Sequence, residues 1–347
     1  MKRLNLYISL YAEVRTWEGE NLSHSRVLCR LVHYLLKYNF SIVDFFMMRL
    51  HKKGTDFGNI LTIKEFNRTN NRLNPVYYRT LLEDKYIFDR FLKSSDFPLA
   101  KMTGIMQNGL IYWFQDQKTE PLERIIQYDL DCFVKMHTKW GGQAVHKLVI
   151  HNGHIVIDNL PGSIISLKQL VSNAIYVIQE TVVQHPVLGQ LNESSVNTIR
   201  MITIHDGASS HNLVSFVRMG KGSSLVDNIS QGGLACGINE NSSLREYALD
   251  IRNNIKWLRN HPTSDTSFSS ITIPYYQESL ALVKRMHNTF HCFFTVSWDV
   301  AITVNGPLII EGNPLSDLVF EQWMFGGLRD KYLQYARSYA QARPYLL

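Results

Sequence analysis

The chain has 347 residues, 45% of them hydrophobic and 19% charged, with a formal net charge of +6 and a sequence pI of about 9.0. That length points to about two domains, and the composition fits a globular, enzyme-sized protein with a real core. No Lys/Arg block supplies the concentrated basic stripe a nucleic-acid binder needs, so the mild positive balance reads as a bias toward anionic small partners such as nucleotides or phosphorylated sugars.

Along the chain, the N-terminal apolar run is short and is broken by Glu13 and Arg15, which argues against a signal peptide. The stretch "LVHYLLKYNFSIVDFFMM" carries His33, Lys37 and Asp44, so it reads as a buried helix and not a membrane span. From about Ser23 to Ser95 the period is helical, first in "SHSRVLCRLVHYLLKY" and then in "TLLEDKYIFDRFLKSS". From Phe97 short strand-like runs follow: "GLIYWF", "CFVKMH", "AVHKLVI" and "HIVIDN". "LKQLVSNAIYVIQETVV" reads as a helix running into a strand. Beyond Pro186 come "NTIRMITIH", "NLVSFVRM" and "LACGIN", a helix in "PYYQESLALVKRMHNTF", a hairpin and a tail helix. Strands mixed with helices, without a repeat or a low-complexity linker, point to α+β or α/β layers. The cysteines Cys29, Cys132, Cys236 and Cys292 form no C-x-x-C pair, which argues against zinc and against a disulfide framework and for a reducing cytosol. The thirteen histidines contain no H-E-x-x-H pattern.

Three segments carry candidate chemistry. In "DCFVKMHTKWGGQAVHKLVI" an apolar strand delivers Lys135 beside a loop with Gly141 and Gly142. A Lys there can hold a polyphosphate while loop N–H groups cover it, or the segment is an ordinary Gly-Gly hairpin. Lys101, in "FPLAKMTG", is a second phosphate candidate or a solvated loop lysine. In "SSVNTIRMITIHDG" Arg200 interrupts an apolar strand and needs an anionic partner: a phosphate, a substrate carboxylate or a structural Asp. "SLVDNISQGG" offers Asp227, Asn228, Gly232 and Gly233 as a polar loop able to contact substrate.

The hairpin "SWDVAITVNGPLIIEGNP" poses a register question. A two-residue loop, Asn305-Gly306, sets Asp299 opposite Gly312 and sends Asp299 and Glu311 to opposite faces. A three-residue loop starting at Val304 sets Asp299 opposite Glu311, with Asn313 on the same face. In the second register two carboxylates meet across an apolar ribbon, and a divalent cation would relieve their repulsion. Oxygen-only ligands suit Mg²⁺.

Taken in order, Lys135 with its Gly-Gly loop, "VIQETVVQHP", "NTIR", "DNISQGG" and "WDVAITVNGPLIIEGNP" resemble the ATP-grasp superfamily, in its sugar-transfer-associated, α-L-glutamate-ligase-related branch. The resemblance covers roughly Phe91 to Gly326. It implies an α+β ATP-grasp fold, with a small subdomain with a Gly-rich lid over 91–183 and a large subdomain over 184–347; the helical region over 1–90, read from its period, has no counterpart in the resemblance. It implies ATP and Mg²⁺ as cofactors, with Asp299, Glu311 and Asn313 as metal ligands, where Asp299 replaces the Glu of many members. By the same resemblance Lys135, and less directly Lys101, match phosphate-holding lysines. Gln179, Glu180 and Val182 fall at the adenine and ribose hinge, with His185 near it as a ribose candidate. Arg200 matches the arginine that meets phosphate or acyl phosphate, and Asn228, Gly232 and Gly233 match a loop closing on substrate.

The activity so implied is a cytoplasmic carboxylate–amine ligase working through an acyl phosphate. It would join an amino acid to a sugar acid or another amino acid in polysaccharide or cell-surface biosynthesis. Its partners are small molecules, without nucleic acid or a membrane span. The alternatives are a kinase or thiol ligase on the same scaffold, or a non-catalytic nucleotide-binding module.

Overall fold

A computed structural model describes residues 7–12, 23–38, 42–48, 50–51, 58–138, 144–251, 256–315 and 318–344. Its frame is two antiparallel sheets that follow one another along the chain. The first has eight strands in the order β3 (Lys118–Pro121), β2 (Leu110–Trp113), β1 (Met102–Gln107), β8 (Tyr176–Glu180), β4 (Leu130–Met136), β5 (Val145–His151), β6 (His154–Ile157) and β7 (Leu160–Pro161). The second has seven in the order β13 (Lys256–Leu258), β12 (Leu244–Asp250), β11 (Leu234–Ile238), β10 (Ser210–Met219), β9 (Ile199–His205), β14 (Thr295–Thr303) and β15 (Gly306–Asn313).

In the first sheet the middle strand, β8 (Tyr176–Glu180), lies between β1 (Met102–Gln107) and β4 (Leu130–Met136). Alternation along β4 sorts its side chains. Cys132 and Val134 join Ile178, Leu148, Ile150 and Met106 in a core, so Phe133 and Lys135 point the other way. Gln179 pairs with Phe133 in the ladder and shares that second face.

The second sheet is covered on both faces, which is why its strands read as nearly continuous apolar runs. Every residue of β14 (Thr295–Thr303) but the last is buried. On one face Ile199, Met201, Val217, Trp298 and Val300 pack with Phe88, Leu92, Val283 and Met286, side chains of the helices α5 (Lys85–Leu92) and α8 (Tyr276–Thr289). On the other, Ile202, Ile204, Phe216 and Phe294 pack with Phe66, Leu73, Tyr332 and Tyr339. These belong to α3 (Ile63–Leu73) and α10 (Arg329–Ala342).

The helical N-terminal region includes α1 (His24–Tyr38) and α2 (Ile42–Met47), and it is knitted into the second sheet further along. The Asn74 amide donates to the carbonyls of Thr295 (2.8 Å) and Pro314 (2.7 Å) and accepts from the Phe294 N–H (2.7 Å). The segment "TLLEDKYIFDRFLKSS" is two helices, α4 (Thr80–Glu83) and α5, and not one. Asp84 takes an extended conformation between them, and its side chain accepts from the Tyr86 and Ile87 N–H groups to cap α5.

The two sheets meet at two places. The chain entering β1 runs beside β15 (Gly306–Asn313), where the Ala100 N–H donates to the Ile309 carbonyl and the Ile309 N–H to that of Pro98, both at 2.9 Å. The linker after β8 returns to β14 through the His185 N–H, which donates to the Ile302 carbonyl at 2.7 Å. All four cysteines are free. Among the described residues no helix is long and apolar enough to cross a membrane.

Candidate active site

The hairpin gives the Asp299–Glu311 pairing of the three-residue-loop alternative, but through a turn that neither alternative named. Thr303 pairs with Gly306 and Ile302 with Pro307, so the turn is Val304-Asn305. Gly306 carries the positive φ of 111°, and the Thr303 hydroxyl accepts from the Asn305 N–H at 3.1 Å. Continued unbroken, that register would set Asp299 opposite Ile310. The ladder instead slips by one residue between Asp299 and Val300, and Asp299 pairs with Glu311 and Ser297 with Asn313. A β-bulge at Ile310 thus brings both acids and Asn313 to one face.

Asp299 is nearly sealed, with 2% of its side chain exposed. Arg200, its ladder neighbour on β9 (Ile199–His205), grips it with two parallel bonds of 2.8 Å, from Nε to Oδ1 and from Nη2 to Oδ2. Arg218, from β10 (Ser210–Met219), adds a third contact at 2.9 Å to Oδ2. Burial disfavours ionised Asp299, yet the two guanidinium groups outweigh it and hold the carboxyl below the usual carboxylate range. Arg218 reaches onward to Asp227 (3.4 Å), the Thr198 hydroxyl (2.7 Å) and the Asn228 Oδ1 (3.2 Å). Asp227 accepts from the Thr198 N–H at 3.0 Å and from its hydroxyl. Its own carboxyl is raised by burial, against the pull of Arg218.

Glu311 is the more accessible acid. Its Oε2 lies 3.5 Å from Lys85 Nζ, and its Oε1 accepts from the Asn313 amide at 3.2 Å. Lys135 faces it from the first sheet and donates to the Gln179 Oε1 at 2.6 Å. Burial lowers Lys135 to about 8, Glu311 pulls it back up, and the Lys85 cation pushes it down again. These groups line a solvent-open cleft of about 750 Å³ that also takes in Phe133, Val145, Glu180, Val182, Arg218, Asn228 and Asp299. Two ammonium groups, Arg218 and an acid pair thus share one cleft at the seam of the two sheets, a set of groups able to bind a polyanion with its counter-cation.

A family model described as sugar-transfer associated ATP-grasp matches residues 65–333. The chain belongs to that family. The match begins earlier and ends later than the stretch from Phe91 to Gly326 that carries the sequence resemblance, so it takes in most of α3 and all of α4 and α5 with Lys85. No curated protein matches the chain. Among solved structures it is similar to an ADP complex of N5-carboxyaminoimidazole ribonucleotide synthetase, at 12% identity and a TM-score of 0.40 over 68% of this chain and 45% of that one. It is also similar to D-alanine–D-alanine ligases from Bacillus anthracis (12% identity, TM-score 0.44, 76% of this chain and 69% of that one) and Helicobacter pylori (10%, 0.42, 74% and 61%). The chain thus spans less than half the length of the synthetase.

The remaining candidate residues of this ATP-grasp protein fall in several places. Gln179, Glu180 and Val182 stand at the cleft, where β8 leaves the first sheet. Lys101 does not join Lys135. It pairs with Glu180 at 2.6 Å and lines a separate cavity with Arg90, Phe114 and Asp131, because it sits one residue before β1, on the outer side of the hinge. The first-sheet lysine Lys135 is instead partnered by Lys85, which sequence reading passed over as one more residue in an amphipathic run. His185 also stands apart from the cleft lining. It is the N-cap of the short helix α7 (Pro186–Gly189), and its ring accepts from the Val187 N–H at 3.2 Å.

Asn228 lines the cleft. Gly232, at φ 101°, and Gly233 shape the loop behind it, and the Gly233 N–H returns to the Asn228 carbonyl at 3.0 Å. Gly141 and Gly142 lie outside the described residues. Arg218 and Thr198 were also missed. The one signal for Arg218 was a second arginine inside an apolar strand, the same signal that singled out Arg200.

The donor set fits a hard divalent cation. Glu311 lines the cleft, Asn313 lies outside that lining and donates its amide to Glu311 Oε1, and Asp299 stands across the ladder with both oxygens shared with arginine. Among the described residues no three His, Cys, Asp or Glu side chains form a self-sufficient metal cage. Carboxylate and amide oxygens are the ligand type of Mg²⁺, which keeps waters and shares substrate phosphate oxygens with one or two carboxylates.

Proposed function

We propose that this protein is an ATP-dependent carboxylate–amine ligase. Family membership supports the nucleotide. The single observation that carries the reading is the convergence of Lys85, Lys135, Glu311, Asp299 and Arg218 on one cleft between the two sheets, with Arg200 gripping Asp299 from behind that lining. In this reading the backbone of residues 179–182 meets adenine at the hinge. Lys85 and Lys135 neutralise the phosphates. Glu311 and Asn313, with Asp299, would hold Mg²⁺, which supplies charge neutralisation on the transferred phosphoryl group.

A carboxylate resists nucleophiles because it is already anionic. Phosphorylation converts it to an acyl phosphate, and an amine then displaces phosphate with formation of the amide. In this reading Arg200 and Arg218 face the developing negative charge from positions fixed by Asp299, so little reorganisation is needed as the charge moves. The loop carrying Asn228 borders the acceptor side. The proposed substrates are an amino acid and a sugar acid or second amino acid, consistent with the family's association with sugar transfer.

The test is a coupled ADP-release assay over paired amino acids and uronic acids, with mass spectrometry of the product. A product whose mass is the sum of both substrates less one water supports the ligase. A stable phosphorylated product, or no ADP release with any pair, overturns it.

A further inference from the structure

The two cleft lysines come from separate elements and carry the same charge. Lys85 opens α5, and Lys135 stands one residue before the end of β4. Like charges sharing a partly buried cleft repel each other; Glu311, 3.5 Å from Lys85, offsets part of that repulsion, and the scaffold supplies a second restraint. It does so at His137. The His137 N–H donates to the Ile175 carbonyl at 3.1 Å, and its carbonyl accepts from the Lys85 N–H at 3.0 Å. Its ring Nδ1 lies 2.7 Å from Asp84 Oδ2. The other Asp84 oxygen caps α5, accepting from the Tyr86 N–H at 2.9 Å and the Ile87 N–H at 3.1 Å. One carboxylate therefore sets where α5 begins and where it docks on β4. The bond is sheltered, with 11% of the Asp84 side chain and 21% of the His137 side chain exposed.

We propose that Asp84 and His137 form a positioning latch, holding Lys85 and Lys135 together against their mutual repulsion as a preformed seat for a polyphosphate. Neither latch residue lines the cleft; both act through the lysines. The ligand named here rests on the ATP reading above, whereas the latch itself is a property of the free protein. A seat assembled before the ligand arrives spares the binding step the work of bringing two cations together.

Three variants separate positioning from folding. His137→Ala removes the ring. Asp84→Ser keeps a good helix cap but is too short to reach His137. His137→Asn places an amide N–H where Nδ1 stood. Calorimetry measures ATP and AMP in the presence of magnesium, and NMR of isotopically methylated lysines follows Lys135 without nucleotide. In His137→Ala and Asp84→Ser, ATP binding is expected to weaken roughly tenfold with AMP binding unchanged. Lys135 should titrate closer to an ordinary lysine as Lys85 moves off, and His137→Asn should restore most of both. If the ATP-to-AMP ratio and the Lys135 titration both match wild type in the two disrupting variants, the latch is refuted. If wild-type protein binds neither nucleotide, the nucleotide reading fails, and the Lys135 titration alone decides the latch.

Discussion

Lys135→Ala tests the phosphate role of the cleft in two independent ways. The first is magnitude. Lys135 is held by Gln179 at 2.6 Å and faces Glu311 across the cleft. A hydrogen bond from a charged group contributes about 1.5–3 kcal/mol, so its loss should weaken ATP binding by roughly ten- to a hundredfold. The second is pH dependence. Burial lowers Lys135 to about 8 in the free protein. A bound polyphosphate stabilises the charged form, so the bound-state value is higher. ATP affinity is then fully present below pH 8 and falls as pH rises through that value. At pH 9 roughly a tenth of the free protein still carries the ammonium, which costs about tenfold in affinity. Lys135→Ala should be weaker at pH 7 and nearly flat from pH 7 to pH 9. Isothermal titration calorimetry with ATP at fixed ionic strength reads both. Equal affinity at pH 7, or an unchanged slope above pH 8 in the variant, would refute a phosphate role for this lysine.

Other outcomes follow from the same geometry. Glu311→Gln should abolish ATP turnover while circular dichroism stays native, and ADP release at the wild-type rate would contradict its place in the site. Gly233→Ala sets a Cβ 2.3 Å from the Asp227 carbonyl oxygen and 2.8 Å from that of Met219. The loop must move and carry Asn228 with it, so turnover should fall at least tenfold with the melting temperature shifted far less than in a core variant. Kinetics within twofold of wild type would show that the loop is not held there. Burial lowers His287 to about 3, where it bonds the Thr203 hydroxyl and the Phe293 carbonyl. An unfolded His protonates near 6.5, so stability should fall as pH drops below 6.5, by up to about 1.4 kcal/mol per unit from this residue. A urea midpoint that stays constant between pH 6.5 and 4.5 in wild type, or falls as steeply in His287→Gln, would exclude it as the cause.

Much of the second sheet was legible because its strands are buried on both faces and read as unbroken apolar runs. Arg200 and Asp299 stood out against that background, and each turned out to be the other's partner. The meeting of Asp299 with Glu311 was legible as one of two registers. Its cause was not, since a bulge at Ile310 leaves no mark in a run of leucine and isoleucine. Lys85 was hidden for the opposite reason. The apolar period runs through "TLLEDKYIFDRFLKSS" without interruption, and only the extended backbone of Asp84 turns Lys85 from a helix-surface residue into a cleft residue.

Helix α3, "IKEFNRTNNRL", lies within the stretch from Ser23 to Ser95 that reads as helical but does not stand out in it, because little of it is apolar. It is held by a Thr62–Glu65 capping box, by Arg329 on Glu65 at 2.8 Å and by Asn70 on Thr295 at 2.8 Å. Those last two partners are more than two hundred residues away in sequence, beyond the reach of any local pattern. Lys101 misled for a related reason. A lysine before an apolar strand has no local feature that tells the inner side of a hinge from the outer.

The most direct test of the account is a structure with a non-hydrolysable ATP analogue and magnesium. It should show the terminal phosphates between Lys85 and Lys135, adenine against residues 179–182, and a cation touching Glu311. A nucleotide lodged instead in the outer cavity beside Lys101 and Glu180, with Glu311 free of any cation, would contradict it.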